Sequence, residues 1–332
     1  MPTYKTINKK ISVSAKELGK LNKLLDSKLE IRLITIFKTG LNEVRDQLKD
    51  VYNTLGKNPD ITQLRKYNRL AKIEAEFVNS INNIKKESGA AIRSYVKVTA
   101  DVNYLYTADS ITEASGLTSI FNPLFSPYTK LGYELYVMDN LWYDSLSNNS
   151  AGLLTGVKRD FETVLRANAK EEIISGAAQG KSYIELTNDI KKRFDIEVTR
   201  ARRIAFTETH KAQNFGSNEA INAAKDAADK VGVKVVKVWR QNYAAKTPRP
   251  DHISADGLIA NDEGLFLVGG EYLQAPGLGT LPENNIYCHC SVDMELIDNG
   301  VDIESIPVNH NGDNVRLNVI SSINKKAEKL TG

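Results

Sequence analysis

Cysteine is almost absent from this chain. Its 332 residues hold two, Cys288 and Cys290, with a single residue between them. Two cysteines cannot build the disulfide framework of a small secreted domain, and a bond across so short a step would be strained. The expected setting is a reducing compartment. Histidine is nearly as scarce, at four. Long apolar runs are missing too. No stretch approaches about eighteen uncharged apolar residues, which excludes a membrane-spanning helix. The opening "MPTYKTINKKISVSAKEL" is charged but has no apolar core, so it does not read as a signal peptide. The net charge of +3 is too small to imply nucleic-acid binding from composition alone.

What is present is ordinary for a folded protein: 41% apolar and 26% charged residues, in a length that suits two or three domains. The charge is uneven. Residues 1–50 hold eleven Lys/Arg against six Asp/Glu. Lys9, Lys10, Lys16 and Lys20 form a basic stretch that would suit DNA phosphates or an acidic partner, while a solvated helix face is the simplest account.

Residues 14–55 repeat apolar side chains every three or four positions: Leu18, Leu21, Leu25, Leu29, Leu33, Ile36, Phe37, Leu41, Val44, Leu48 and Val51. This predicts one long helix or two abutting ones, opened by a Ser14/Glu17 capping box and stopped at Gly56 and "KNPD". Asp60 is expected to cap a second helix to about Lys86, with Leu64, Tyr67, Leu70, Ile73, Phe77, Ile81 and Ile84 on one stripe. "ESGA" is expected to break it before a third segment from Ala91 to about Asn103. Antiparallel packed helices are therefore predicted for the first hundred residues.

Residues 107–130 change character. Prolines, glycines and aromatics suit a loop or arm, and exposed Phe and Tyr near 116–130 suit partner pockets. Helical pattern returns near Tyr133–Leu146, and "SLSNNSAG" reads as a linker. Two amphipathic helices follow around "AAQGKS", with Gly180 as a stop and Ser182 as a cap. That turn lacks the upstream glycine and the strand of a phosphate-cradling loop. A further long helix begins at "DIEV". "VKVVKVWRQN" then alternates at period two, a strand with Val233, Val235 and Val238 available for burial. Short strands are expected in "GLFLVGG", whose glycines suit a hairpin turn, and in "NIYCHCSVDMELI". The fold class predicted is α+β: a mainly helical N-terminal region, then a smaller α+β module with short antiparallel strands. The expected divisions are 1–105, 106–150, 151–300 and a tail at 301–332.

The rare residues gather in two places, "RPDHISADG" at 249–257 and "NNIYCHC" at 284–290. On a strand, Cys288 and Cys290 would face the same side, as a zinc ion prefers, with His252 as third ligand and His289 or Asp251 as a fourth. His289, between the cysteines, should face away. The other reading makes both cysteines small buried hydrophobes and His252 a hydrogen-bonded turn residue. A second constellation is Arg203, Thr207, Glu208 and Arg249. Arg249 lies between two prolines, which fix its direction, and a bidentate pair with Glu208 would lock the helix to the turn. The enzymatic alternative is a hydrolase or transferase, nuclease-like and metal-dependent, built on Glu208, His252 and Cys288. Asp251-His252 with Asn284 or Asn285 matches no nuclease motif closely. No catalytic residue is assigned.

The ordered signposts in 176–296 resemble the phage Mu F-like minor head proteins, the head-morphogenesis family. Thr207-Glu208, Trp239, Arg249 and His252 with Gly257, and Cys288 with Cys290 fill that family's motifs in order. The chain departs from the pattern at Phe206, Tyr287 and His289. The resemblance implies a non-enzymatic minor head protein of a tailed phage, inside the capsid near the portal. It implies the portal protein, the major capsid or scaffolding protein and viral DNA as partners, with no membrane.

Overall fold

The computed structural model describes residues 4–56, 62, 69–115, 171, 175–176, 179, 181–229, 234–242 and 247–297. Three long helices dominate: α1 (Tyr4–Leu55), α2 (Arg69–Ser115) and α3 (Tyr183–Asp229). A compact set of short elements follows: β1 (Lys234–Arg240), α4 (Pro250–Ser254), β2 (Phe266–Val268), β3 (Glu271–Leu273), α5 (Pro282–Asn285) and β4 (Ser291–Ile297). The α+β class and the antiparallel strands are as the sequence predicts. No described helix is long and apolar enough to cross a membrane.

The chain divides into two compact units, each assembled from separated segments. One takes Asp26–Tyr95 and the described part of Ser147–Phe206. Its core joins residues of the two predicted stripes, Ile36, Phe37, Leu41, Val44 and Leu48 from α1 and Phe77, Ile81 and Ile84 from α2, to Leu186, Ile190 and Phe194 from α3. Phe77 and Phe194 meet edge to face at 6.5 Å. Gly56 ends α1 as expected, with φ +101° and its N–H donated to the Tyr52 carbonyl. Ser182 caps α3. Its N–H and hydroxyl both donate to the Glu185 carboxylate at 2.8 Å, and the Glu185 N–H returns to the Ser182 hydroxyl at 3.4 Å, a reciprocal box where the sequence predicts only a cap.

Four boundaries differ from expectation. α1 begins at Tyr4, so Ser14 lies inside it, and Glu17 accepts a hydrogen bond from Tyr106 instead. α2 runs unbroken through "ESGA". The buried positions Phe77, Ile81, Ile84, Ser88, Ile92, Val96 and Ala100 keep their phase across it, and one glycine costs a packed helix only about 1 kcal/mol. α3 likewise merges the helix after Ser182 with the one expected from "DIEV", because Leu186, Ile190, Phe194, Glu197 and Ala201 stay in register on the buried face. α2 also runs on to Ser115, past the expected end near Asn103, so residues 107–115 are helical where a loop or arm was expected. The expected Asp60 cap, Gly180 stop and Val233, the rest of the arm and linker from 116 to 150, and the tail lie outside the described residues.

The other unit takes the described parts of Met1–Leu25, Val96–Leu146 and Thr207–Gly332. Here α2 and α3 approach closely. A Cβ on Gly216 would lie 2.3 Å from the Ala100 carbonyl oxygen, so only glycine fits. Asn22 and Asn103 exchange side-chain hydrogen bonds at 3.0 and 2.8 Å.

β1 is the spine of the strand-rich part. It pairs antiparallel with β4, setting Trp239 opposite Val292. Its other edge is covered by residues 257–260: the Trp239 N–H donates to the Leu258 carbonyl and the Gly257 N–H to the Trp239 carbonyl, both at 2.8 Å, and the Ala260 N–H donates to the Lys237 carbonyl. Val235 and Trp239 join one apolar cluster, Val236 and Val238 another. The strand is therefore buried on both faces, so a simple in-out alternation fails and even Lys237 is buried. β2 and β3 form the expected hairpin, turning at Gly269–Gly270 with φ +57° and +77°.

Candidate functional site

α4 is a single turn held by its sequence. Pro250 pre-sets the first helical φ, Arg249 sits extended at the N-cap, and His252 is thereby turned inward. The cysteines do not lie on β4 as predicted. They occupy the loop that leads into it, after Tyr287 has taken a left-handed φ of +56°. The loop, rather than strand alternation, brings the thiols together. His252 Nδ1 stands 3.4 Å from Cys290 Sγ and 3.6 Å from Cys288 Sγ. The three donor atoms all lie within 4.8 Å of one another, on residues only 2–3% exposed. Trp239 stands perpendicular to the His252 ring at 5.4 Å and to Phe266 at 5.5 Å. His252 Nε2 has no hydrogen-bond partner among the described residues.

The paired thiols split in acidity. The hydrogen bond from Cys290, with the imidazole beside it, holds Cys288 well below an ordinary thiol. That same bond, with burial and the Cys288 charge, pushes Cys290 upward.

One stripe of α3 fastens the cysteine loop. Thr207 Oγ1 accepts from the Tyr287 N–H at 3.2 Å. One turn on, His210 Nε2 meets the Cys290 carbonyl at 2.6 Å. A further turn on, Asn214 donates to that carbonyl at 2.9 Å and accepts from the Val292 N–H at 3.0 Å. Residues 207, 210 and 214 share one helix face by spacing. The sequence marks Thr207 as a motif residue and His210 as part of a candidate polar cleft with Glu208, Arg249 and His252, but neither as an anchor, and it does not mark Asn214. The signal was there, as a polar stripe running through an alanine-rich helix.

The remaining predicted residues separate. Glu208 is buried on α3, and its carboxylate partly offsets the burial that lowers the Lys211 ammonium. Arg249 does not make the expected pair with Glu208. It donates to the carbonyl of Ile286, which sits just past the last turn of α5 and lacks a helical partner. Arg203 is exposed, Gly257 takes its left-handed turn at φ +76°, and Asp251 is exposed on α4. His289 packs on Tyr287 at 4.9 Å and is not among the three donors that converge. Asn284 donates to Val268 and Glu271, and Asn285 exchanges bonds with Gly279. Both side chains lock loops. Burial would raise the Glu271 carboxyl, but hydrogen bonds from Thr280, Asn284 and Leu281 outweigh it and hold the group below its usual range. Lys16 and Lys20 are exposed on α1, and Lys9 and Lys10 lie on its first turns.

Residues 167–293 match the model of the family described as Phage Mu protein F like protein. This segment is similar to that family. It contains every signpost named above, from Arg203 to Cys290. The match extends in whole-chain comparisons. The chain is 27% identical over 288 residues to Minor head protein GP7 of Bacillus phage SPP1, covering 82% of this chain and 84% of that one. It is 24% identical over 286 residues to NAD(+)--arginine ADP-ribosyltransferase EFV of Enterococcus faecalis, covering 85% of this chain but only 54% of that protein. No solved structure matches.

Proposed function

We propose that the chain is a structural minor head protein of a tailed bacteriophage. The observation that carries this reading is similarity to a minor head protein along most of both chains, with the Mu F-like segment inside it. The site geometry supports a structural role. His252, Cys288, Cys290 and Glu208 are at most 3% exposed, so the corner that a hydrolase or transferase would need is closed to a macromolecular substrate. The polar groups around it tie backbone to backbone. In the fuller form of the proposal, a few copies sit inside the capsid at the portal vertex. They contact the portal protein and the major capsid or scaffolding protein, and aid head assembly and the packaging or ejection of DNA. The exposed Lys16 and Lys20, continuing the basic start of α1, supply phosphate contacts.

Cross-linking mass spectrometry of intact particles tests the assignment. Cross-links from this chain to the portal protein are expected. A chain absent from purified heads overturns the assignment, and one cross-linked only to the outer capsid face overturns the portal placement. The transferase named for the second relative belongs to a protein of which this chain spans about half. Incubation with labelled NAD and an arginine-rich acceptor should transfer no label.

A further inference from the structure

We propose that His252, Cys288 and Cys290 hold a zinc ion that pins α4 to the cysteine loop. The inference stands on this site alone and survives or fails independently of the head assignment. The donor set comes first: two sulfurs and an imidazole nitrogen, the ligands zinc prefers, drawn from a chain with only two cysteines. Geometry comes second. Zinc bonds of about 2.3 Å to sulfur and about 2.0 Å to nitrogen, at a tetrahedral angle, set the S···N edges at about 3.5 Å. The observed edges are 3.4 and 3.6 Å.

A thiol–imidazole hydrogen bond could also span either distance. It does not account for both. One ring nitrogen has one lone pair or one proton, so it makes one good hydrogen bond. Here Nδ1 is nearly equidistant from two sulfurs, which is how three ligands stand around a common centre.

Preorganisation is the third observation. The Cys290 carbonyl is gripped by His210 and Asn214, the Val292 N–H by Asn214, and the Tyr287 N–H by Thr207. Arg249, the N-cap of the helix that carries His252, donates to the Ile286 carbonyl on the loop itself. Such outer contacts fix ligand orientation in metal centres. The ion would close a loop of 36 residues between His252 and Cys288. That gives a segment of short strands and single-turn helices a cross-link its small core does not supply. Three protein donors leave the fourth position to a water molecule.

The test uses the full chain, purified without chelator or a histidine tag. Elemental analysis should find about one zinc per chain. Stripped with chelator and titrated with cobalt(II), the folded protein should show a thiolate-to-cobalt charge-transfer band and the strong visible absorption of a tetrahedral site. Zinc should fall below about a tenth of an equivalent in Cys288→Ser and Cys290→Ser. Less than a tenth of an equivalent in the unaltered chain overturns the proposal. So does cobalt uptake without the thiolate band, or a folded serine variant that keeps its zinc. If the variants fail to fold, the cobalt spectrum of the unaltered chain decides.

Discussion

The helical unit and the strand-rich module are held together in different ways. In the first, Phe37, Leu48, Phe77, Ile81, Ile190 and Phe194 repeat at helical spacing and share one apolar core. Many contacts share the load, so losing one lowers stability without unravelling the helices. In the second, strands of three to seven residues and helices of four or five cannot bury much alone. There the backbone is fastened at points: Asn214 on Cys290 and Val292, Glu271 on Thr280 and Leu281, Asn285 on Gly279. A repeated pattern tolerates change, whereas a pinned loop fails when its pin is removed.

That contrast is sharpest in the largest substitutions. Trp239 is fully buried, with Phe266 and His252 edge-on to its ring. Trp239→Ala should cost about 3–5 kcal/mol and also release the turn that presents His252. Phe77→Ala in the helical unit should cost about as much but leave its secondary structure intact. Urea unfolding followed by circular dichroism would compare them. An equal loss of structure in both variants would erase the distinction drawn between the units.

Charge burial separates the regions next. Lys237 lies inside the module, bonded to Asn218 and the Gln274 carbonyl, and burial lowers its ammonium to about pH 8 against the pull of Glu219. Below about pH 8 both folded and unfolded chains carry the proton, and the folded state bears the full burial cost. Between about pH 8 and the ordinary lysine value near 10.5 the unfolded chain binds more protons, so stability rises with pH. Over that window the unaltered chain should gain up to about 3 kcal/mol on Lys237→Met. A flat difference would mean that Lys237 is solvated.

Asn214→Ala should cost about 1–3 kcal/mol, since it strands the Val292 N–H and leaves the Cys290 carbonyl to His210 alone. Hydrogen exchange at the Val292 amide would report it, rising while amides of α2 near Phe77 stay protected. Equal exchange at both would refute the pinned-loop account.

How far the sequence could be read follows the same divide. The stripe from Leu29 to Val51 is buried as its spacing predicts, because a helix repeats its environment every turn. The hairpin at Gly269–Gly270 and the Ser182 cap were legible too, since each is a local device. The unbroken passage through "ESGA" was not, because continuity there depends on packing partners distant in sequence. The pairing of 257–260 with β1 was hidden for the same reason. The convergence of His252 on the cysteines was legible as chemistry, but its cause was misassigned. A left-handed Tyr287 and three anchors on α3 do what strand alternation was expected to do.

The smallest effects carry opposite signs in the two kinds of structure. Gly19 lies inside α1 and a Cβ there would meet nothing within 4 Å. Alanine at that position should stabilise by about 1 kcal/mol, through the lower helix propensity of glycine alone. Gly257 sits at φ +76°, where its N–H must reach the Trp239 carbonyl at 2.8 Å. Alanine there must take up the left-handed region, and should destabilise by about 1–2 kcal/mol. Thermal unfolding of the two variants would rank them on either side of the unaltered chain. If Gly257→Ala proved neutral, the turn that sets His252 beside the thiols would be looser than its hydrogen bonds require, and the pinned corner would have to be held by its α3 anchors instead.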